Sequence, residues 1–179
     1  MRRRRLLFGG AAAMAASAGG FGLWLVGEPA PVQGLPDITA ALRWLARVAA
    51  DPAARSRDGW SLPQVLEHAA QSIEYSLDGY PEAKSVLFQH SAGALAFATF
   101  NRRGAMRHPL TEAIPGAPSL SASDVGSAQQ RLAAALERFA AHRGPLAPHF
   151  AFGALGKPDY ERAHLMHLAD HARWIVPGP

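Results

Sequence analysis

From Asp159 to Val176 the chain runs without a glycine or a proline, and three of its eight histidines fall within this run, at His164, His167 and His171. At about 100° per residue, Tyr160, Ala163, His164, His167, His171 and Trp174 share one helical face, while Glu161, Arg162 and Leu165 point elsewhere. The pattern predicts a helix whose inward stripe carries imidazoles among its apolar groups. Such a stripe restricts the fold, because an unpaired polar group out of water costs about 1–3 kcal/mol. Two arrangements avoid that cost. Each ring can find a hydrogen-bond partner in the core, or several rings can each give one nitrogen to a metal ion. His167 and His171 stand one turn apart and side by side, so they can grip one divalent metal from a single helix. His164 lies just beyond them on the same stripe.

No stretch alternates with period two, so the chain reads as all-α. Asp37 is placed to cap a first helix carrying Ile38, Ala41, Leu42, Leu45 and Val48, which Asp51-Pro52 stops. Ser61 caps a second, with Pro63 in its first turn. There Leu62, Leu66, Ala69, Ala70, Ile73 and Leu77 form the apolar face, and Gln64, Glu67, Gln71, Glu74 and Asp78 the solvent face. His68 falls on the border between the two faces. It suits a ligand at the mouth of a pocket and a half-exposed surface histidine equally well. Glu82 to Arg103 reads as one or two short helices, with Val86, Leu87, Leu95, Phe97, Ala98 and Phe100 buried and Gly93 allowing a bend or close packing. Asn101 to Ser123 is a long loop, of a length suited to covering one end of a pocket. Ser123-Asp124 caps a third long helix with Leu132, Ala135, Leu136 and Phe139 as its core stripe, and a further loop carrying His149, Phe150 and Phe152 leads to the histidine helix. The expected architecture is a four-helix bundle with a short helical insertion between the second and third long helices. Side chains on facing helices at the centre of a bundle can build a metal site.

The chain has 179 residues, enough for one domain with a sizeable core. It has no cysteine, which excludes disulfides, thiolate metal sites and a cysteine nucleophile. The net charge of +4 comes largely from Arg2 to Arg5. Beyond residue 30 the balance is 14 basic to 13 acidic residues, so no basic patch points to a nucleic-acid partner. No phosphate loop, nucleophile elbow or dinucleotide fingerprint is present. Arg2 to Arg5 followed by 21 uncharged residues, Leu6 to Val26, has the build of an export signal. The arginines with Leu6-Leu7-Phe8 resemble a twin-arginine signal, though no Ser or Thr precedes them. The run is also long enough for an uncleaved anchor. Residues 1–30 are therefore expected to be an export signal or N-terminal membrane anchor, 31–36 a linker and 37–176 the domain. That arrangement puts the domain in the periplasm or otherwise outside the cytoplasmic membrane, touching it only through the N-terminal segment.

Trp60 to His68, reading Trp-Ser-Leu-Pro-Gln-Val-Leu-Glu-His, resembles the second-helix signature of the DinB/YfiT-like superfamily. His167-Leu-Ala-Asp-His171, with Arg173 after it, is similar to that superfamily's last-helix pair of histidines. Asp78 to Glu82, Phe88-Gln89, Gly93 and Ile114 to Pro118 resemble an uncharacterised branch, domain of unknown function 1569. The resemblance covers Asp37 to Val176. It implies a four-helix bundle with an open divalent-metal site held by His68, His167 and His171. His164 is extra to that set, a fourth ligand or an outer group, and Asp170, slightly round the helix, is placed to orient a neighbouring histidine. The superfamily includes thiol transferases, a thiol-dependent isomerase and proteins assigned as hydrolases, while the branch has no agreed reaction.

Three imidazoles with no carboxylate suit Zn²⁺, Ni²⁺ or Fe²⁺ better than the oxygen-seeking Mg²⁺ or Ca²⁺. The first expectation is an exported metal-dependent hydrolase acting on a small molecule, with Tyr75, Asp170 and His164 as the candidate bases. A thiol-dependent transferase is an alternative on the same site. A non-catalytic bundle that holds a ligand or a partner, with the metal structural or absent, is another, as is a bundle whose histidines are only hydrogen-bonded in the core; a homodimer is compatible with each.

Overall fold

The computed structural model describes residues 27–57 and 59–178. The predicted leader lies outside the described residues up to Val26. Asp37 caps α1 (Ile38–Ala50), its carboxylate accepting the Ala40 N–H at 2.6 Å. At the start of α2 (Leu62–Asp78) the Gln64 carbonyl reaches back to the Ser61 N–H at 3.0 Å, and Pro63 occupies the first turn. α3 (Val86–Phe88), a π turn over Gln89–Gly93 and α4 (Ala94–Arg103) follow one another without a break. Asp124 caps α5 (Val125–Ala141) through the Ser127 N–H at 2.6 Å, and α6 (Lys157–Ala172) is the histidine helix. Two-residue strands β1 (Arg55–Ser56) and β2 (Ile175–Val176) pair antiparallel and tie the chain's C-terminal end to the loop after α1.

The fold is all-α. α1 and α2 each pack against both α5 and α6, so the four long helices enclose one core. Leu45, Leu66, Leu132, Leu136, Phe139, Tyr160 and Met166 fill it, all fully buried. The α3–α4 segment is the insertion between the second and third long helices, and α4 rests on the outside of α6.

The structure departs from the sequence expectation at four places. Val86, Leu87 and Leu95 are exposed rather than buried, because the inserted segment meets the bundle through its other face, with Phe97 and Phe100 against the core. Gly93 is the point of closest approach, and a Cβ there would lie 1.9 Å from the Ala151 carbonyl oxygen. Glu67 and Gln71, expected on the solvent face of α2, are buried. Glu67 accepts the Ser121 and Ala122 N–H groups at 2.8 Å each and meets Arg131 at 3.3 Å. Trp174 lies past the end of α6 and is half exposed. Residues 31–36, expected as a linker, lie against the bundle, with Val32 and Leu35 in the core and the Gln33 N–H donating to Gly104 at 2.8 Å.

Gly93→Ala should lower the unfolding free energy by about 1–3 kcal/mol, because the new methyl group meets backbone that has no room to yield. Leu87→Ala, at a side chain 78% exposed, should change it by less than about 0.5 kcal/mol. Urea titrations of both variants measure this. A large loss at Leu87 would mean that the exposed face is covered in solution.

Candidate functional site

Three elements bring four histidines together. His68 comes from α2, His167 and His171 from α6, and His108 from the loop after α4. The Nε2 atoms of His68 and His171 each lie 3.2 Å from His167 Nε2. The His108 ring sits 4.8 Å from that of His167 and 5.0 Å from that of His171. One nitrogen from each of the four rings falls within 4.8 Å of the others, close enough to hold a metal ion.

His108 is fixed by Asp170. The Asp170 Oδ2 accepts the His108 backbone N–H at 3.2 Å and lies 3.0 Å from its ring Nδ1. The Asp170 Oδ1 accepts from Arg107 at 2.9 Å and from Arg173. Burial alone would raise the Asp170 pKa. Hydrogen bonds from His108 and Arg173 outweigh it and hold the carboxyl below the usual range. A carboxylate facing Nδ1 keeps the proton on that nitrogen and leaves Nε2 with a free lone pair. His108 Nε2 is buried without a hydrogen-bond partner among the described residues, and so is His68 Nδ1.

Burial keeps the His68, His167 and His171 rings neutral. Burial, then the neighbouring His171 and His108, lower the His68 pKa to about 3. Burial and His108 lower that of His171 to about 4, against an opposing pull from Asp170. His167, buried among the other rings, is pushed well below the ordinary value. Neutral imidazoles are the form that ligates metal. Two imidazole nitrogens on one tetrahedral zinc, each at about 2.0–2.1 Å, stand about 3.3–3.4 Å apart. The two 3.2 Å contacts are close to that separation.

The other sequence candidates stand elsewhere. His164 Nε2 lies 3.1 Å from the Ser76 hydroxyl, which itself donates to the Ile73 carbonyl at 2.6 Å, so His164 is the donor. Its ring stacks on Tyr160 and meets Phe139 edge-on. Tyr75 packs on Tyr80. Sequence reasoning missed His108, which sits in an aperiodic loop. The nearest signal was Asp170, expected to orient a neighbouring histidine.

The cluster opens on a cavity of about 290 Å³. His68, His108 and His167 line one part of it, and Phe88, Phe100, Phe150 and Phe152 form much of the rest. Met106, Glu112 and Ile114 of the long loop complete the wall, so that loop does cover one side of a pocket.

The buried rings set a pH dependence. The unfolded chain protonates its histidines near pH 6.5, whereas His68 and His171 in the folded chain wait until about 3 and 4. Between those values the unfolded state binds more protons, so stability is present above pH 6.5 and is lost as the pH falls. Chelator-treated protein should lose unfolding free energy steadily from pH 6.5 to 4, by up to about 1.4 kcal/mol per pH unit for each independent ring. Urea titrations across that range test this. A flat profile would mean that the rings are solvated.

No curated protein and no solved structure matches the chain. Residues 34–178 match the model of a family described as a protein of unknown function, DUF1569, and the chain belongs to that family.

Proposed function

We propose that the chain is a divalent-metal-dependent enzyme acting on a small apolar molecule, with hydrolysis as the reaction class. The observation that carries this reading is the convergence of His68, His108, His167 and His171 beside an apolar cavity. His68, His167 and His171 would hold the ion, with His108 as a fourth donor. One histidine on the second long helix and two, a turn apart, on the last is the set that a DinB/YfiT-like resemblance implies. The donors fit Zn²⁺, Ni²⁺ or Fe²⁺, and such an ion supplies Lewis acidity toward a substrate oxygen.

The chain's own residues do the rest. The phenylalanine wall binds carbon and excludes water. Asp170 positions His108, with both its oxygens engaged, so it is not a free base. His164 is committed to Ser76. Of the groups lining the cavity, Glu112 is an exposed carboxylate outside the cluster and is the better candidate to move a proton. A thiol-dependent transferase would use the same donors.

A second reading has a specific support. Four protein ligands are what closes a structural zinc site, and His108 is held firmly enough to be the fourth. In that case the bundle is a binding module. The same proposal puts the domain outside the cytoplasmic membrane, supported by Arg2 to Arg5 and the uncharged run Leu6 to Val26. Fractionation of cells making the full chain tests the location.

Elemental analysis of purified protein should find close to one transition-metal equivalent per chain, absent from the His167→Ala/His171→Ala double variant. Asp170→Asn should weaken metal affinity about 10–100-fold, as loss of an outer partner does elsewhere. No metal after expression with zinc, nickel and iron supplied would sink the proposal. Tightly held metal without turnover on ester, amide and phosphoester panels would favour the structural reading.

A further inference from the structure

The cavity has a second polar feature, outside the four-histidine cluster. His149 heads a tight turn in which its N–H donates to the Gly153 carbonyl at 2.8 Å and the Gly153 N–H returns to the His149 carbonyl at 3.0 Å. Gly153 closes the turn at φ +76°, a conformation that favours glycine. Inside the turn, the His149 Nδ1 accepts the backbone N–H groups of Ala151 and Phe152, both at 3.1 Å. A nitrogen that accepts two N–H groups carries no proton, so the proton of the neutral ring is on Nε2. Burial, with a smaller contribution from His164, lowers the His149 pKa to about 3, so the ring is neutral over the physiological range.

The ring is also held in place. It stacks parallel on Phe152 at 4.2 Å and 7°, and touches Phe150 and Tyr80. It lines the cavity beside those phenylalanines, and among the described residues its side chain makes hydrogen bonds through Nδ1 only. A fixed, neutral N–H donor at an apolar cavity wall is placed to meet an acceptor on whatever fills the cavity. The acceptor it matches is neutral. The charged side chains lining the cavity, Lys84 and Glu112, are exposed and opposite in sign, so these two favour neither an anion nor a cation. At about 290 Å³ the space lies at the small end of the range for small-molecule sites, roughly 300–1,000 Å³.

We propose that His149 is the recognition residue of this cavity, its Nε2–H donating to the carbonyl oxygen of a small aryl or acyl compound that lies along the phenylalanine wall. This deepens the metal-dependent reading by naming a substrate class, and it rests on that reading for the reaction but not for the binding.

The test uses two probes of one shape, acetophenone and α-methylstyrene, in which a CH₂ replaces the carbonyl oxygen. Uniformly ¹⁵N-labelled full-length protein is titrated with each, and long-range ¹H–¹⁵N spectra report the ring nitrogens. The ketone should bind about tenfold more tightly, the worth of one net hydrogen bond. It alone should shift the His149 Nε2 signal. In His149→Asn the amide oxygen stands where Nδ1 was and preserves the turn, but no N–H remains at the Nε2 position. The preference should fall to about one in protein that still unfolds cooperatively. His149→Gln, which restores a donor near Nε2, should recover part of the preference.

Equal affinity for the two probes, a proton on Nδ1 or binding of neither probe overturns the proposal. So does a preference that survives His149→Asn but vanishes with chelator, since the metal would then hold the carbonyl. Protein that contains no metal but keeps a His149-dependent preference refutes the metal reading and leaves this one standing.

Discussion

The Asp170 carboxylate takes hydrogen bonds from the guanidinium groups of Arg107 and Arg173 and from the backbone and ring of His108, all while buried on α6. A buried carboxylate is tolerated only when its lone pairs are filled, and removing a partner from such a pair typically costs about 3–5 kcal/mol. The arrangement therefore works in both directions. The carboxylate needs the loop, and the loop, which has no regular structure of its own, gets its position from the carboxylate. Without that tie, His108 would be a surface histidine rather than the fourth member of the cluster.

The same device holds the other end of the loop. Glu67 on α2 takes the N–H groups of Ser121 and Ala122, with Arg131 beside it. A long connection between helices would ordinarily be the most mobile part of the molecule. Here it is fastened to α6 near residue 108 and to α2 near residue 121, and the span between supplies Glu112 and Ile114 to the cavity. Two buried acids thus convert a segment without secondary structure into one wall of the pocket.

The long helices were legible because periodicity and caps are local. Asp37, Ser61 and Asp124 begin the helices that they were expected to begin. The juxtaposition of His167 and His171 follows from one helical turn. His68 was ambiguous from periodicity, since a border position says nothing about what covers it, and the resemblance decided its reading. The failures share a cause. Glu67 looked like a solvent residue because its partners lie more than fifty positions away, and His108 had no pattern to mark its direction. Val86, Leu87 and Leu95 were expected inside because they are apolar, but an insertion that meets the bundle on one face leaves the other in water.

His164 and His167 stand less than one turn apart on α6, yet they resolve the cost of a buried imidazole differently. The difference lies on the facing helix. α2 runs past α6 so that Ser76 meets His164 and, two turns earlier, His68 meets His167 and His171. A hydroxyl opposite an imidazole gives a neutral hydrogen bond. An imidazole opposite two imidazoles leaves ring nitrogens that hydrogen bonds alone do not all satisfy, as the buried His68 Nδ1 records. Between the two levels, small side chains at Ser72 and Ala163 border the cavity. Space opens where the helices carry little bulk, and His68, His164 and His167 all line it. The placement of a serine and a histidine eight residues apart on α2 therefore gives one imidazole of α6 a hydrogen-bond partner and gathers two others into the four-histidine cluster.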